Sequence, residues 1–217
     1  GSQFMFSVAA TPPWSLWDGK DYKNMSDQDE AKFRMIEYHK WKFKAKIFSP
    51  LAPLTVKRTP VLMTRVEYGF LGSYNKYKKS PFETFYMGGD GMSGYSSTYA
   101  TETIGLRGYE NGSIAGNGGY NSYGYAYSRL SMELRYPFLL EPSSTIYGLV
   151  FVEAGNAWRD LKDFNPFQLK RSAGVGVRIF LPMIGMMGID WAYGFDRPDG
   201  YDQRGGSNFH FIIGQEF

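Results

Sequence analysis

The feature that most constrains the fold of this chain is the alternation of apolar and polar side chains at every second residue. In the segment 38–48, for instance, Trp41, Phe43 and Ile47 alternate with lysines. Successive side chains of a β-strand point to opposite faces, so this period predicts strands that separate two environments. The fifth such segment alternates poorly, because Glu153 lies within an apolar run. The eight predicted strands are 3–10, 38–48, 61–71, 125–136, 145–158, 172–181, 187–196 and 209–217.

Two kinds of fold place strands between unlike environments. A soluble antiparallel sandwich or barrel turns the apolar face inward, whereas a transmembrane barrel turns it toward lipid, around a wet lumen. Strand length favours the membrane, since the segments run about 9–14 residues where a tilted membrane strand needs about 9–11 and soluble strands have about 5–6. We therefore predict an all-β fold, an antiparallel transmembrane β-barrel of eight strands with long external loops, formed by the whole chain 1–217.

The connections between the strands predict the orientation. The short, proline-rich connections are 50–60, 137–144 and 182–185. The long connections are 11–37, 72–124, 159–171 and 197–208. Short and long connections alternate strictly, as do the periplasmic turns and external loops of outer-membrane barrels. Both termini are therefore predicted to be periplasmic.

Composition and spacing disfavour most other kinds of function. The chain has no cysteine and a net charge of only +3, which argues against thiolate metal sites and nucleic acid. His39 and His210 are predicted on opposite faces, so they cannot share a metal, and no cofactor is expected. A barrel enzyme using His210 with Ser207 and Asp202 is the least favoured alternative, because that spacing is not diagnostic. No signal peptide opens the chain, so it is interpreted as a mature fragment.

Several motifs resemble one family of outer-membrane proteins. The segments 85–89 (FYMGG) and 106–109 (LRGY) resemble the paired FYxGG and (V/L)RG(F/Y) elements in the sixth external loop of BamA-type barrel-assembly proteins. Three later segments, 131–134, 151–155 and 172–176, resemble that family in the same order. The Tyr- and Gly-rich loops look more like its Bacteroidota branch. The last strand resembles the terminal signal of outer-membrane proteins through Phe209, Phe211, Ile213 and Phe217.

The resemblance implies a fold, a function and partners. Family members have a sixteen-strand barrel preceded by POTRA domains, so this chain would be the C-terminal eight strands. The implied function is insertion and assembly of outer-membrane proteins, without enzymatic activity. The implied partners are outer-membrane lipid, client β-barrel proteins and accessory subunits, but not nucleic acid. A passive pore or adhesin remains the main alternative.

The resemblance also implies roles for single residues. The family's loop folds back into the barrel and its arginine pairs with acids of the lumen, which would be Arg107 with Glu133 and Glu153. The residues alone favour a solvated loop arginine instead. Gly214 would let the last strand bend, so that we expect the strand to fray there, or it would relieve crowding in the lumen. The motif residues carried over from the loop are Leu106, Arg107, Gly108 and Tyr109.

Two questions stay open at the level of sequence. The lysines from Lys40 to Lys46, with Arg65, give the inner face a positive stripe, which is interpreted as a solvated face with an anion path as the alternative. An eight-strand barrel has a lumen filled by its own side chains, so it cannot also hold the loop 72–124. We expect the fragment to close on itself and expel this loop, with self-association or pairing to another chain as the alternative.

Overall fold

A computed structural model describes residues 1–26, 29–53, 55, 58–91, 102–114, 123–141, 143–183 and 185–214. The strands are β1 Ser2–Ala10, β2 His39–Pro50, β3 Val61–Gly72, β4 Phe85–Met87, β5 Glu102–Ile104, β6 Ala126–Glu141, β7 Ser144–Trp158, β8 Lys170–Leu181, β9 Gly185–Gly194 and β10 Gly206–Ile213. Two short helices, α1 Trp14–Trp17 and α2 Glu30–Phe33, and a 3-10 helix, Leu161–Asp163, lie in the connections. None of the helices in the described ranges has the length and hydropathy needed to cross a membrane.

All eight predicted strands are present and form one antiparallel sheet. Its order is β1-β2-β3-β6-β7-β8-β9-β10. Two boundaries differ for physical reasons. The strand β6 continues past Pro137 to Glu141 because its pairing with β7 shifts register between Pro137 and Leu139, which is how a sheet accommodates a proline that cannot donate. The strand β10 begins at Gly206 and ends at Ile213, before Gly214 adopts a left-handed φ of 72°.

The expected closure of eight strands on themselves is not observed. Among the described residues, β1 and β10 are the two edges of the sheet and no ladder joins them. The sheet nevertheless curves strongly, because Met5 of β1 and Ile212 of β10 line the same cavity. The reason is volume: the described parts of the loop 72–124 pack against the inner face, where a closed barrel of eight strands has no room.

The two faces of the sheet differ in the sense predicted for a membrane protein. Trp41, Trp191 and Phe211 are 44%, 40% and 58% exposed on the outer face. The buried charged residues lie on the inner face and include Lys40, Arg65, Glu67, Arg129, Glu133, Glu153, Arg178 and Asp190. A soluble sandwich would have the opposite arrangement. The apolar surface is therefore directed outward along the whole sheet.

The loop 72–124 supplies a small apolar core inside the sheet, instead of lying outside it as predicted. The short strands β4 and β5 pair in parallel. The cluster of buried residues comprises Leu71, Phe85, Met87, Ile104, Leu106, Tyr109, Ile114, Tyr127 and Ala157. Six of these nine residues belong to the loop, so the loop is held chiefly by its own apolar contacts with β3, β6 and β7.

Candidate functional site

Arg107 lies at the centre of a buried ionic cluster. Its side chain is fully buried, and Nη2 donates to Glu133 Oε1 at 2.6 Å and to Glu153 Oε1 at 2.8 Å. Nη1 donates to Asp190 Oδ2 at 2.9 Å, and the Arg107 backbone N donates to Glu153 Oε2 at 2.9 Å. The guanidinium carbon lies 3.5 Å from the centre of the Phe151 ring. We call Arg107, Glu133, Glu153, Asp190 and Phe151 the Arg107 site.

Strand register brings these residues to one point. Glu133 of β6 lies opposite Phe151 of β7, while Glu153 lies two residues further along β7 and faces the same way. Asp190 of β9 lies opposite Gly176 of β8. A Cβ on Gly176 would overlap Asp190 Oδ1, so the lack of a side chain there leaves room for the carboxylate. The inward glycines Gly174 and Gly176 of β8 thus leave room for Phe151 and Asp190, the two residues that contact Arg107 from this side.

Strand arginines share the same three carboxylates. Arg129 donates to Glu153 at 2.8 Å, and Arg135 donates to Glu133 at 2.7 Å. Arg178 forms a two-pronged pair with Asp190, at 2.6 and 2.7 Å. Such charge-assisted pairs offset the loss of hydration only when geometry is good and both partners are present. Removing Arg107 therefore leaves each acid one arginine partner, while removing one acid leaves Arg107 with two carboxylates and deprives one strand arginine of that carboxylate.

Gly108 joins the loop to the last strands. Its N–H donates to His210 Nε2 at 2.9 Å, and its carbonyl accepts from Asn208 Nδ2 at 3.0 Å. It has a φ of 87°, and a Cβ there would lie 2.9 Å from both Gly194 N and Ser172 Cβ. Only glycine suits this position, for reasons of both backbone conformation and space.

Tyr109 and Leu106 complete the motif on either side. The Tyr109 hydroxyl donates to the Arg171 carbonyl at 2.7 Å. Leu106 lies in the apolar cluster, and its N–H donates to the Gly89 carbonyl at 3.1 Å. The two motifs of the loop, FYMGG and LRGY, are therefore in direct backbone contact. Together they present Arg107 to the inner face of the sheet.

The structure places the other predicted site residues in separate locations. Phe209, Phe211 and Ile213 are exposed on the outer face of β10, and Phe217 lies outside the described residues. Among the described residues, a Cβ on Gly214 would meet nothing within 4 Å, so none of them supports the crowding interpretation of this glycine. Its left-handed φ is what ends the strand.

The alternative catalytic group is not assembled. Ser207 Oγ accepts from Trp191 Nε1 on the outer face, while His210 is buried on the inner face and accepts from the loop. Residues three apart on a strand point to opposite faces, which is the physical reason. Within the described ranges, no cluster of three acidic or histidine side chains is arranged to hold a metal ion.

Asp190, Phe151 and His210 were not predicted as partners of the loop. The alternation in β9 and β10 is consistent with inward positions for Asp190 and His210, but nothing in the sequence shows which inward residues reach Arg107. The poor alternation of β7 was the missed signal for Phe151. Its inward apolar residues Leu149 and Phe151 are buried, and the outward Val150 and Val152 are exposed. An apolar side chain on the wet face of a strand thus marks where the loop is bound.

Comparison with known proteins identifies the family. The model of the Omp85 superfamily domain matches residues 31–217. The chain belongs to the Omp85 superfamily. Proteins of this superfamily are outer-membrane proteins, which accounts for the outward apolar face. No curated protein matches the chain.

A solved structure shares the fold of this Omp85 domain. It is the crystal structure of BamA from Haemophilus ducreyi lacking POTRA domains 1-3, with a TM-score of 0.56 and 20% sequence identity. The match covers 81% of this chain and 34% of that chain. The chain therefore corresponds to about a third of that protein, and at this identity the similarity is one of fold.

Proposed function

We propose that this chain is the barrel portion of an outer-membrane protein insertion and assembly factor, present as the C-terminal eight strands of a larger barrel. The observation that carries the proposal is the Arg107 site, in which a loop arginine is bound by carboxylates from three strands. A passive pore needs an open lumen. Here the described parts of the loop pack against the inner face of the sheet instead.

The proposal assigns a role to the two sheet edges. In the described residues, β1 and β10 each pair on one side only, and unpaired strand edges are costly in lipid. The preceding strands of the full barrel would pair with β1. The outer edge of β10 would accept the strand of a client protein by β-augmentation. The long loops would then lie on the external side of the membrane and both termini of the chain on the periplasmic side. The further partners are lipid and accessory subunits.

The decisive experiment replaces Arg107 in the full-length protein. We expect Arg107→Ala to impair growth of a strain that depends on this protein, and to lower the amounts of folded outer-membrane barrels. Arg204→Ala removes the same charge from an exposed loop residue and serves as the matched control. Normal growth and normal barrel levels with Arg107→Ala, at equal protein abundance, would contradict the proposal.

A further inference from the structure

A cavity of about 220 Å³ lies on the inner face, between β2, β3 and the loop. It is lined by both signs of charge, from Lys42, Lys44, Arg65, Glu67 and Glu102 among others. Its volume is well above the roughly 10–15 Å³ that one water needs. The cavity is polar, so it has room and partners for a hydrophilic occupant larger than water.

Most charges that line this cavity already have an ionic partner. Lys42 pairs with Glu102 at 3.0 Å, and Lys44 pairs with Glu67 at 2.7 Å. Burial raises the pKa of Glu102, but the hydrogen bonds and charges of Lys40 and Lys42 outweigh it, so the net shift is downward. Glu102 is therefore ionised and committed to the two lysines.

Arg65 is the exception. Its side chain is 2% exposed, and its Nε and Nη2 have no hydrogen-bond partner among the described residues. The nearest paired carboxylate is that of Glu67, whose Oε1 lies 3.9 Å from Arg65 Nε. This distance is longer than a hydrogen bond. Across the strand pair Arg65 faces Lys46, another cation. A buried guanidinium without hydrogen bonds is costly, so this site is built to receive an acceptor.

We propose that Arg65 binds an oxyanion of the phosphate class in this cavity, with Lys44 on the same wall as a second cation. A guanidinium offers a planar fork of donors that matches phosphate oxygens. The edge residues Met5 and Ile212 also line the cavity. The cavity therefore lies beside both edges of the sheet, and the phosphate is either free in the lumen or part of a lipid headgroup. This inference does not rest on the assembly function.

Titration of inorganic phosphate into the full-length protein in nanodiscs of uncharged lipid tests the site by calorimetry. We expect saturable binding that Arg65→Gln weakens at least tenfold, while Arg204→Gln, which removes an equally charged but exposed arginine, leaves it unchanged. Lys44→Gln, an independent change in the same cavity, weakens it by a smaller factor. The absence of saturable binding to the unmodified protein, or equal affinity in Arg65→Gln, overturns the proposal and leaves a water-filled cavity.

Native mass spectrometry distinguishes the two sources of phosphate. If the ligand is a lipid headgroup, protein from phosphatidylglycerol nanodiscs retains this lipid, and Arg65→Gln loses it. If the ligand is free phosphate, the lipid does not displace it and only inorganic phosphate binding depends on Arg65. Hydrogen exchange of the Arg107 amide checks that the variants keep the loop in place.

Discussion

Apolar and polar side chains alternate in the same way in both halves of the sheet, but the charged side chains of the inner face have different partners in the two halves. From β6 to β9, the inward arginines Arg129, Arg135 and Arg178 are all hydrogen-bonded to carboxylates, which also hold the loop. From β1 to β3, the inward Arg65 has no such bond, and β1 is exposed on both faces. The loop contacts both halves, since Glu102 pairs with Lys40 and Lys42 of β2, but its fully buried ionic cluster around Arg107 lies on β6 to β9. We call these the docked half and the open half.

The size of the inward side chains helps to explain why the Arg107 site lies on the docked half. The docked half has inward glycines that admit the loop, and a Cβ on Gly155 or Gly174 would strike Met87 or Phe151. The open half makes room for Phe85 of the loop at Gly69, and on β2 it carries the long inward side chains of the lysines. The carboxylates of the docked half bind the loop's Arg107, whereas the lysines of β2 bind the loop's Glu83 and Glu102. Each part of the loop thus contacts the half whose charge is opposite to its own.

The largest effect is expected from removing the acid that contacts Arg107 twice. Glu153→Gln removes the negative charge that Arg107 and Arg129 share in the buried interior. Loss of one partner of a buried ion pair costs about 3–5 kcal/mol. The free energy of opening, measured by hydrogen exchange at the Arg107 amide, should fall by that amount. Glu83→Gln breaks a partly exposed pair with Lys40 in the open half and should change it by less than about 1 kcal/mol. Equal effects of the two changes would erase the distinction between the halves.

A smaller effect is expected at Gly108. Gly108→Ala forces a side chain into a left-handed conformation, which costs about 1–2 kcal/mol, and into contact with Gly194 and Ser172. Gly19 has a similar φ of 65° but open space around it, so Gly19→Ala reports the conformational cost alone. Thermal unfolding of both variants should show the larger loss for Gly108→Ala. A difference of zero would mean that the loop is not tightly packed against β8 and β9.

The smallest effect concerns the end of β10. This strand pairs on one side only in the described residues and ends at Gly214, so amides near Ile213 should exchange faster than those of the central strand β8. Native-state hydrogen exchange resolved to single residues measures this. Protection of Ile213 equal to that of Val177 in β8 would show that the edge does not fray, and would remove the proposed opening for a client strand.

The sequence predicted the strands well because alternation is a local property. The eight strands and their faces follow from the period of two, with errors only at strand ends. Those errors arose where a single residue departs from strand geometry, as at the bulge after Pro137 and at the left-handed Gly214. The pairing of Arg107 with Glu133 and Glu153 was expected only through family resemblance, and the structure brings these three residues together.

What the sequence could not predict depends on distant parts of the chain. Asp190 joins the Arg107 site because the register of β7, β8 and β9 places it opposite Gly176, which lies opposite Leu149, and register across three strands is not encoded locally. The sequence wrongly predicted that the eight strands close on themselves, because closure depends on whether the loop 72–124 occupies the space on the inner face of the sheet. That volume is set by the cluster of Leu106 and its neighbours, whose residues come from the loop and from β3, β6 and β7.

The central claim is that hydrocarbon contacts the outer aromatic face while the inner face is shielded from lipid. It is tested most directly with variants that retain a single tryptophan, reconstituted in bilayers of brominated lipid. Trp41 and Trp191 are exposed on the outer face, whereas Trp158 at the end of β7 is only 6% exposed because Phe164 covers it, so it serves as the shielded control. We expect strong quenching of Trp41 and Trp191 and weak quenching of Trp158. Strong quenching of Trp158 with none of Trp41 and Trp191 would contradict the whole account.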